Sequence, residues 1–395
     1  MLDLAPEDEF QIKRLTNSIR TMQEFDLPPV LDDLPFIQST IRGIKMARYL
    51  KFLYLLYQWR NDTNRTFAKK LNNAFLRESF ELLYDDQEVN MVVMTMPLAS
   101  FDKKSAGYPI GGSMQFAKYL EESYLQLGGK IHYNTPVKKI ITENNTAKGL
   151  LVRNNVSHYS DAIISAADWN WTIFDALDGK YTDKKILELK ELKKLKVFYS
   201  VLQFSFGINK DLSDQPHFSR FPLKTPVHCP DGTKHERLEV HVYNYDPTFA
   251  PKGKTSVVVS FYTEHADFWI DLRKNNRPKY REAKKEMLET ITNLLDERLG
   301  GIKDQIEEVD FATPATYLRY TNNWKGSTQG WLPSENLIAL SPIKFTLPNL
   351  ANFYMASHWN QPGGGLPIAI SAGRDLTKKI CKEQKKKFTT KKTSL

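Results

Sequence analysis

The sequence predicts a mixed α/β (α+β) fold, and three observations carry that reading. A side-chain-free bend, Pro362-Gly363-Gly364-Gly365-Leu366-Pro367, runs directly into helix-patterned residues 368–380. Residues 108–168 read as strand, helix, meander and return strand. Longer β runs at 196–206, 238–243 and 255–262 precede a strongly helical stretch, 278–299, which predicts an antiparallel sheet with a helix packed on one side.

Taken in order, residues 1–107 read as mainly helical, over 8–25, 34–59 and 66–84, with breaks at Pro28-Pro29 and Asn61-Asp62-Thr63-Asn64. In the middle helix Arg42, Lys45, Arg48 and Lys51 recur every third residue beside Ile44, Leu50, Phe52, Leu53, Tyr54, Leu56 and Tyr57. Such a stripe is either a core face or a helix lying at a membrane interface or at the mouth of a greasy channel. A helix over 113–127 follows from Ala117, Leu120, Tyr124 and Leu127, and Gly128-Gly129 ends it. Short β runs at 130–133, 137–141, 147–152 and 161–166 come next, punctuated by Asn144-Asn145 and Asn154-Asn155. The last of them is small and apolar almost throughout, as in a strand buried on both faces. After the larger sheet, runs at 338–340 and 353–356 lead into the glycine bend and the final helix.

A chain of 395 residues is long enough for two domains, and 41% apolar with 26% charged residues excludes disordered and fibrous classes. The net charge of +9 is concentrated in residues 376–395, where eight lysines face one glutamate and leave the body at about +2. That balance argues against a nucleic-acid surface, which needs cations clustered on the fold. The end of the chain, 383–395, reads as a basic disordered tail, solvated or weakly drawn to anionic membrane. Cys229 and Cys381 lie far apart and suit neither a disulfide framework nor a zinc site, which fits a reducing compartment. The acidic start lacks signal-peptide features, and the longest aromatic-rich apolar run, 52–59, is too short to span a bilayer. A cytoplasmic location is expected, with peripheral membrane contact left open.

The bend is the main candidate site. Three glycines let a flat or phosphorylated ligand approach the backbone amides, and the helix start adds about half a positive charge. The plain alternative is a flexible connection. His358 beside it is either a proton-transfer group or hydrogen-bonded scaffolding. His228, His235, His241 and His265 lack metal-ligand spacing, so no metal site is expected, and neither a GxSxG elbow nor an HExxH helix occurs.

Several segments then act together. Tyr108-Pro109-Ile110-Gly111-Gly112, Gly128-Gly129-Lys130-Ile131 leading into 137–140, Asp161-Ala162-Ile163-Ile164-Ser165-Ala166-Ala167, the run 313–321, Gly326-Ser327-Thr328-Gln329-Gly330-Trp331, and His358-Trp359-Asn360-Gln361 with the bend and Ser371-Ala372-Gly373-Arg374 occur in this order. Across most of its length the chain thereby resembles the phytoene desaturase, carotenoid isomerase and retinol saturase family of FAD-dependent oxidoreductases.

That resemblance implies a glutathione-reductase-type FAD-binding domain, built from 108–168 and 336–382 and interrupted by a substrate domain, 169–335. Residues 1–107 then join the substrate or membrane-facing region. It implies FAD as cofactor and a hydrophobic isoprenoid as substrate, whose carbon–carbon double bonds are desaturated, isomerised or saturated. The backbone of Val137 is implied to lie against the adenine, and Gly363, Gly364, Gly365 and Leu366 to face the pyrophosphate, ribityl chain and isoalloxazine edge. Trp359 packs on the ring system or is a structural tryptophan. Arg319 approaches the substrate cavity, or stands in solvent on an ordinary strand. The family's opening βαβ unit with its GxGxxG turn has no counterpart here. The resemblance therefore implies an FAD domain lacking its first βαβ unit, an incomplete chain, and an N-terminal nucleotide-binding polypeptide as partner. Two alternatives stand beside it: a non-catalytic lipid-binding or partner subunit of a split flavoprotein, and amine oxidation on a related flavin fold.

Overall fold

The computed structural model describes residues 1–24, 50–83, 89–332 and 343–390. The chain divides into two units, the first ending at Tyr108 and the second beginning at Pro109.

The first unit is helical, with α1 at Glu9–Gln23, α2 at Leu50–Trp59, α3 at Asn64–Ala68, α4 at Ala74–Leu82 and α5 at Met91–Asp102. α1 turns Ile12, Leu15, Ser18 and Met22 inward, the spacing of one helix face. They meet Leu55, Trp59, Phe67, Leu76, Phe80 and Met91 in one apolar core. Trp59 is fully buried and its Nε1 donates to Ser18 Oγ at 2.8 Å, while the Arg14 guanidinium lies 3.8 Å over its ring. The helix expected over 66–84 is broken in two. Asp8 reaches across to accept the backbone N–H groups of Asn72 and Asn73 at 2.7 and 2.9 Å, and the Asn73 side chain then caps α4. Only the α2 portion of the helix expected over 34–59 lies within the described residues; Arg42, Ile44, Lys45, Arg48 and Pro28-Pro29 fall outside them. α2 buries Leu55 and Trp59 and leaves Leu50, Leu53, Tyr54 and Tyr57 exposed along its other face.

The second unit opens with α6, Gly112–Gln126, and a three-stranded antiparallel meander of β1 (Val137–Glu143), β2 (Thr146–Val152) and β3 (Ser157–Tyr159). β4, Ile163–Ser165, then leads through a π-helical turn, Trp171–Ala176, to α7, Lys184–Lys190. The large sheet follows: β5 (Ser200–Ile208), β6 (Phe218–His228), β7 (Lys234–Tyr243), β8 (Thr255–Thr263) and, after α8 (Ala266–Asn275) and α9 (Arg277–Leu299), β9 (Ile306–Ala312). Its order is β6-β7-β8-β5-β9, antiparallel throughout. Strand alternation sends Leu202, Phe204, Phe206, Val240, Val242, Val257, Val259 and Phe311 to one face. There α9 covers them with Tyr280, Ala283, Met287, Ile291 and Leu295. This is the antiparallel sheet with a helix on one side that the sequence predicts. α10 (Pro314–Thr321), β10 (Phe353–Met355) and α11 (Gly365–Glu383) complete the chain, and β10 pairs with β4 in parallel.

Several expectations need correction. Residues 130–133 form no strand. β4 is not buried on both faces: Ile163 and Ser165 turn inward while Ile164 is 52% exposed. The run 313–321 is a helix rather than a strand: Pro314 occupies the first turn, and Thr316 Oγ1 accepts the Thr313 backbone N–H at 3.1 Å. β6 and β9, which no run in the sequence marks, are the edge strands of this sheet, with Lys224, Thr225, Glu307, Glu308 and Asp310 exposed. The run 338–340 and the tail end with Lys391-Lys392 lie outside the described residues. No helix among the described residues is long and apolar enough to cross a membrane.

Candidate functional site

The glycine bend is held by a strip of chain, 329–331, that the large sheet positions. Gly330 carbonyl accepts the Phe198 N–H at 2.9 Å, and Val197 bridges Trp331 in antiparallel fashion. On its other side the Trp331 carbonyl accepts the Gly363 N–H at 2.9 Å. Beside it Gly364 packs on Gly330, where a Cβ on Gly364 would stand 2.6 Å from the Gly330 nitrogen. A Cβ on Gly330 would stand 3.0 Å from the His358 carbonyl oxygen, and Gly364 has φ +48°, a conformation that disfavours a side chain. Gly365, at φ +75°, has ordinary room instead, its nearest neighbour being Gln329 Oε1 at 3.8 Å from where a Cβ would lie. α11 starts here and runs 19 residues, burying Ile368, Ala372 and Leu376 and leaving Leu366 and Ile370 about half exposed.

Behind the bend sits a cluster of tryptophans. Trp331 and Trp359 meet edge to face at 5.1 Å, as do Trp169 and Trp331, while Trp324 lies 6.0 Å from Trp331 and 6.5 Å from Trp359. Trp331 Nε1 donates to the Trp359 carbonyl at 3.1 Å. Trp169, Trp331 and Trp359 are buried. Ser357 anchors the segment, its Oγ accepting the Trp359 N–H at 3.2 Å, and Asn360 Oδ1 accepts the Ser357 N–H at 2.7 Å.

Two polar atoms here are shut away from solvent without a hydrogen-bond partner among the described residues, His358 Nε2 and Trp359 Nε1. Burial also holds the His358 pKa below its ordinary value, which keeps the ring neutral. Asp168, beside the cluster, is buried; its Oδ1 accepts the Trp171 N–H at 2.7 Å and its Oδ2 the Trp324 N–H at 2.8 Å. Desolvation nonetheless outweighs these donors and pushes its carboxyl up to about 6. Asp168 and Trp324 line an open cleft of about 260 Å³ with Asn170, Asp267, Leu318 and Lys325. That cleft does not include the glycine bend.

The other residues singled out in the sequence stand apart. Val137 begins β1, half-buried, opposite Val152. Arg319 is exposed on α10, its guanidinium 5.1 Å over the Tyr320 ring. The same helix faces the sheet through Tyr317, whose Oη donates to Gln203 Oε1 at 2.8 Å. Among the described residues no hydrogen bond or ion pair ties Val137 or Arg319 to the bend. The turn at Gly111-Gly112 is already filled: Asp246 Oδ2 accepts the Gly111 N–H at 2.7 Å, which helps hold that carboxyl below its usual range, and a Cβ on Gly112 would meet Phe249 at 2.8 Å. The sequence assigns no role to Asp168 or Trp324, and Gly330 enters only as part of the family-like run 326–331. Only the Gly330-Trp331 pair carried a signal, a glycine needed for close backbone approach.

Residues 63–380 match the family model described as flavin containing amine oxidoreductase. The chain belongs to this family. It is 26% identical over 290 residues to a chloroplastic prolycopene isomerase of Daucus carota, covering 71% of this chain and 45% of that protein. It is 24% identical over 292 residues to a 4,4'-diapophytoene desaturase of Methylomonas sp, covering 70% of this chain and 54% of that one. A prolycopene isomerase of an Oncidium hybrid cultivar aligns over 94% of this chain and 63% of its own length at 25% identity. The chain thus spans about half the length of the curated relatives it matches. Among solved structures, an oxidoreductase from Methanosarcina mazei superposes with a TM-score of 0.52 at 14% identity, over 89% of this chain and 78% of that one. A putrescine oxidase variant gives 0.52 at 12% identity, over 95% and 76%. At such identities these two show the fold alone.

Membership in the family indicates a flavin, and the bend suits one. Three successive glycines keep the bend free of β-carbons, the first turn of α11 has N–H groups without intrahelical acceptors, and two unpartnered polar atoms lie within the same stretch of chain. Among the described residues, no group of three or more His, Cys, Asp or Glu is placed to hold a metal ion.

Proposed function

We propose that this chain forms the bend-bearing and substrate-binding part of an FAD-dependent oxidoreductase acting on carbon–carbon double bonds of a carotenoid- or retinoid-like isoprenoid. The observation that carries the reading is the packing of Gly364 on Gly330, which fixes the glycine bend against the 329–331 strip and leads it straight into the N-terminus of α11. The names of the relatives, prolycopene isomerases and carotenoid-type desaturases, support the substrate class.

Bound FAD supplies hydride acceptance or donation at a substrate carbon. The protein's own share is orientation. Gly363 and Gly364 spend their N–H groups on the Trp331 and Gln361 carbonyls, so the amides of Gly365 and Leu366 are the ones offered to the ligand. The partial positive charge of the α11 N-terminus favours negative charge developing on the ring. The backbone of Val137 is assigned to the adenine.

A second polypeptide layer is part of this reading. α6 has no buried residue, and Met114, Tyr119, Leu120 and Leu127 are exposed, as is Ile164 on β4. A parallel pair such as β4–β10 is normally covered on both faces. A nucleotide-binding βαβ polypeptide fits that need, and the exposed stripe of α2 supplies peripheral membrane contact.

The test is to mix the purified chain with FAD and a polyene, with and without a GxGxxG-bearing βαβ polypeptide, and to extract the lipid. New double-bond products support the reading. Peroxide release on amines with the polyene unchanged turns it to amine oxidation, and retained polyene without bound FAD turns it to a non-catalytic lipid-binding subunit.

A further inference from the structure

We infer that Trp359 and His358 are the polar contacts by which this chain recognises the flavin, through Trp359 Nε1 and His358 Nε2, and that Trp359 does so by its edge and not by stacking. The inference rests on the flavin reading above and assigns roles within it.

The indole of Trp359 is spent on protein. Trp331 stands edge to face against it at 5.1 Å, Trp324 lies at 6.5 Å, and the residue is 1% exposed. Its one polar group, Nε1–H, is a donor only and has no acceptor among the described residues. His358, next in the chain and 5.6 Å away ring to ring, likewise has Nε2 buried and unpartnered. Burial keeps this imidazole neutral, so Nε2 either donates or accepts according to tautomer.

Most buried polar groups in folded proteins find a partner, so two adjacent exceptions beside a side-chain-free bend are unusual. Hydrogen bonds join Trp359 to that bend through Trp331, whose Nε1 donates to the Trp359 carbonyl and whose carbonyl accepts the Gly363 N–H. An isoalloxazine carries carbonyl oxygens, ring nitrogens and an imide N–H along one rim, which match a donor and an adaptable imidazole. Both protein atoms are covered in the free chain, so a ligand reaches them by displacing their cover. Binding and local stability are therefore coupled.

The experiment compares FAD-induced shifts in melting temperature, and FAD affinity, for the full chain and for Trp359→Phe, His358→Leu and His358→Gln. The expected result is an FAD-free melting point close to wild type for His358→Leu and modestly lower for Trp359→Phe, which loses buried volume, with FAD affinity weakened about tenfold in both. His358→Gln, which keeps a hydrogen-bonding group, regains part of that loss. Unchanged FAD shifts in all three variants, against a clear shift in wild type, overturn the inference and leave the flavin reading standing. A lowered FAD-free melting point with the FAD shift intact makes both residues structural and overturns it too. Absence of any FAD shift in wild type removes the flavin reading and this inference with it.

Discussion

Asp168 ties two distant parts of the second unit together, since its Oδ2 accepts the backbone N–H of Trp324 at 2.8 Å across 156 residues of sequence. The other oxygen holds the start of the π-helical turn through Trp171. Trp324 in turn packs against Trp331 and Trp359, so a single buried carboxylate braces the cluster behind the glycine bend.

That placement predicts a pH dependence. Burial raises Asp168 to about 6 from the 3.8 of a free aspartate, so its contribution to stability is fully present below about pH 4 and is lost as pH rises through 6. Urea unfolding of wild type and Asp168→Asn should show wild type losing ground relative to the variant between pH 4 and 7, by on the order of 3 kcal/mol. A difference that stays flat across this range rules the effect out.

Backbone strain makes a second prediction. At Gly364 a Cβ would stand 2.6 Å from the Gly330 nitrogen at φ +48°, so Gly364→Ala should cost about 1–3 kcal/mol in thermal unfolding. Gly373 lies within α11 with nothing near its missing Cβ, and Gly373→Ala should instead be neutral or stabilise by about 0.5–1 kcal/mol.

Arg319 is exposed, with its guanidinium over the ring of Tyr320, itself 74% exposed. Arg319→Ala is expected to leave stability within about 0.5 kcal/mol of wild type and polyene turnover unchanged. Slower turnover at an unchanged melting point would return Arg319 to the site.

On α2, Leu50, Leu53, Tyr54 and Tyr57 form an exposed stripe opposite buried Leu55 and Trp59. Replacing Leu53 by Glu should reduce co-flotation with anionic lipid vesicles without lowering the melting temperature. Equal flotation of variant and wild type would sink the membrane assignment.

Local pattern was enough to read the three inner strands of the large sheet, its covering helix α9, the β1–β2 hairpin and the helix after the triglycine bend. Each rests on a local cause: strand alternation, the Asn144-Asn145 turn, and apolar spacing along a helix. Family membership was legible for the same reason, because glycine motifs keep their order along the chain. That 66–84 holds two helices follows from a long-range contact, since the carboxylate that accepts the Asn72 and Asn73 N–H groups at the break belongs to Asp8. The same holds for the filling of the Gly111-Gly112 turn by Asp246 and Phe249, and for the place of Trp359 among other tryptophans with its Nε1 unpartnered among the described residues. These outcomes depend on contacts between residues far apart in the chain, and periodicity carries no information about which distant group will arrive to satisfy, fill or bury a given position.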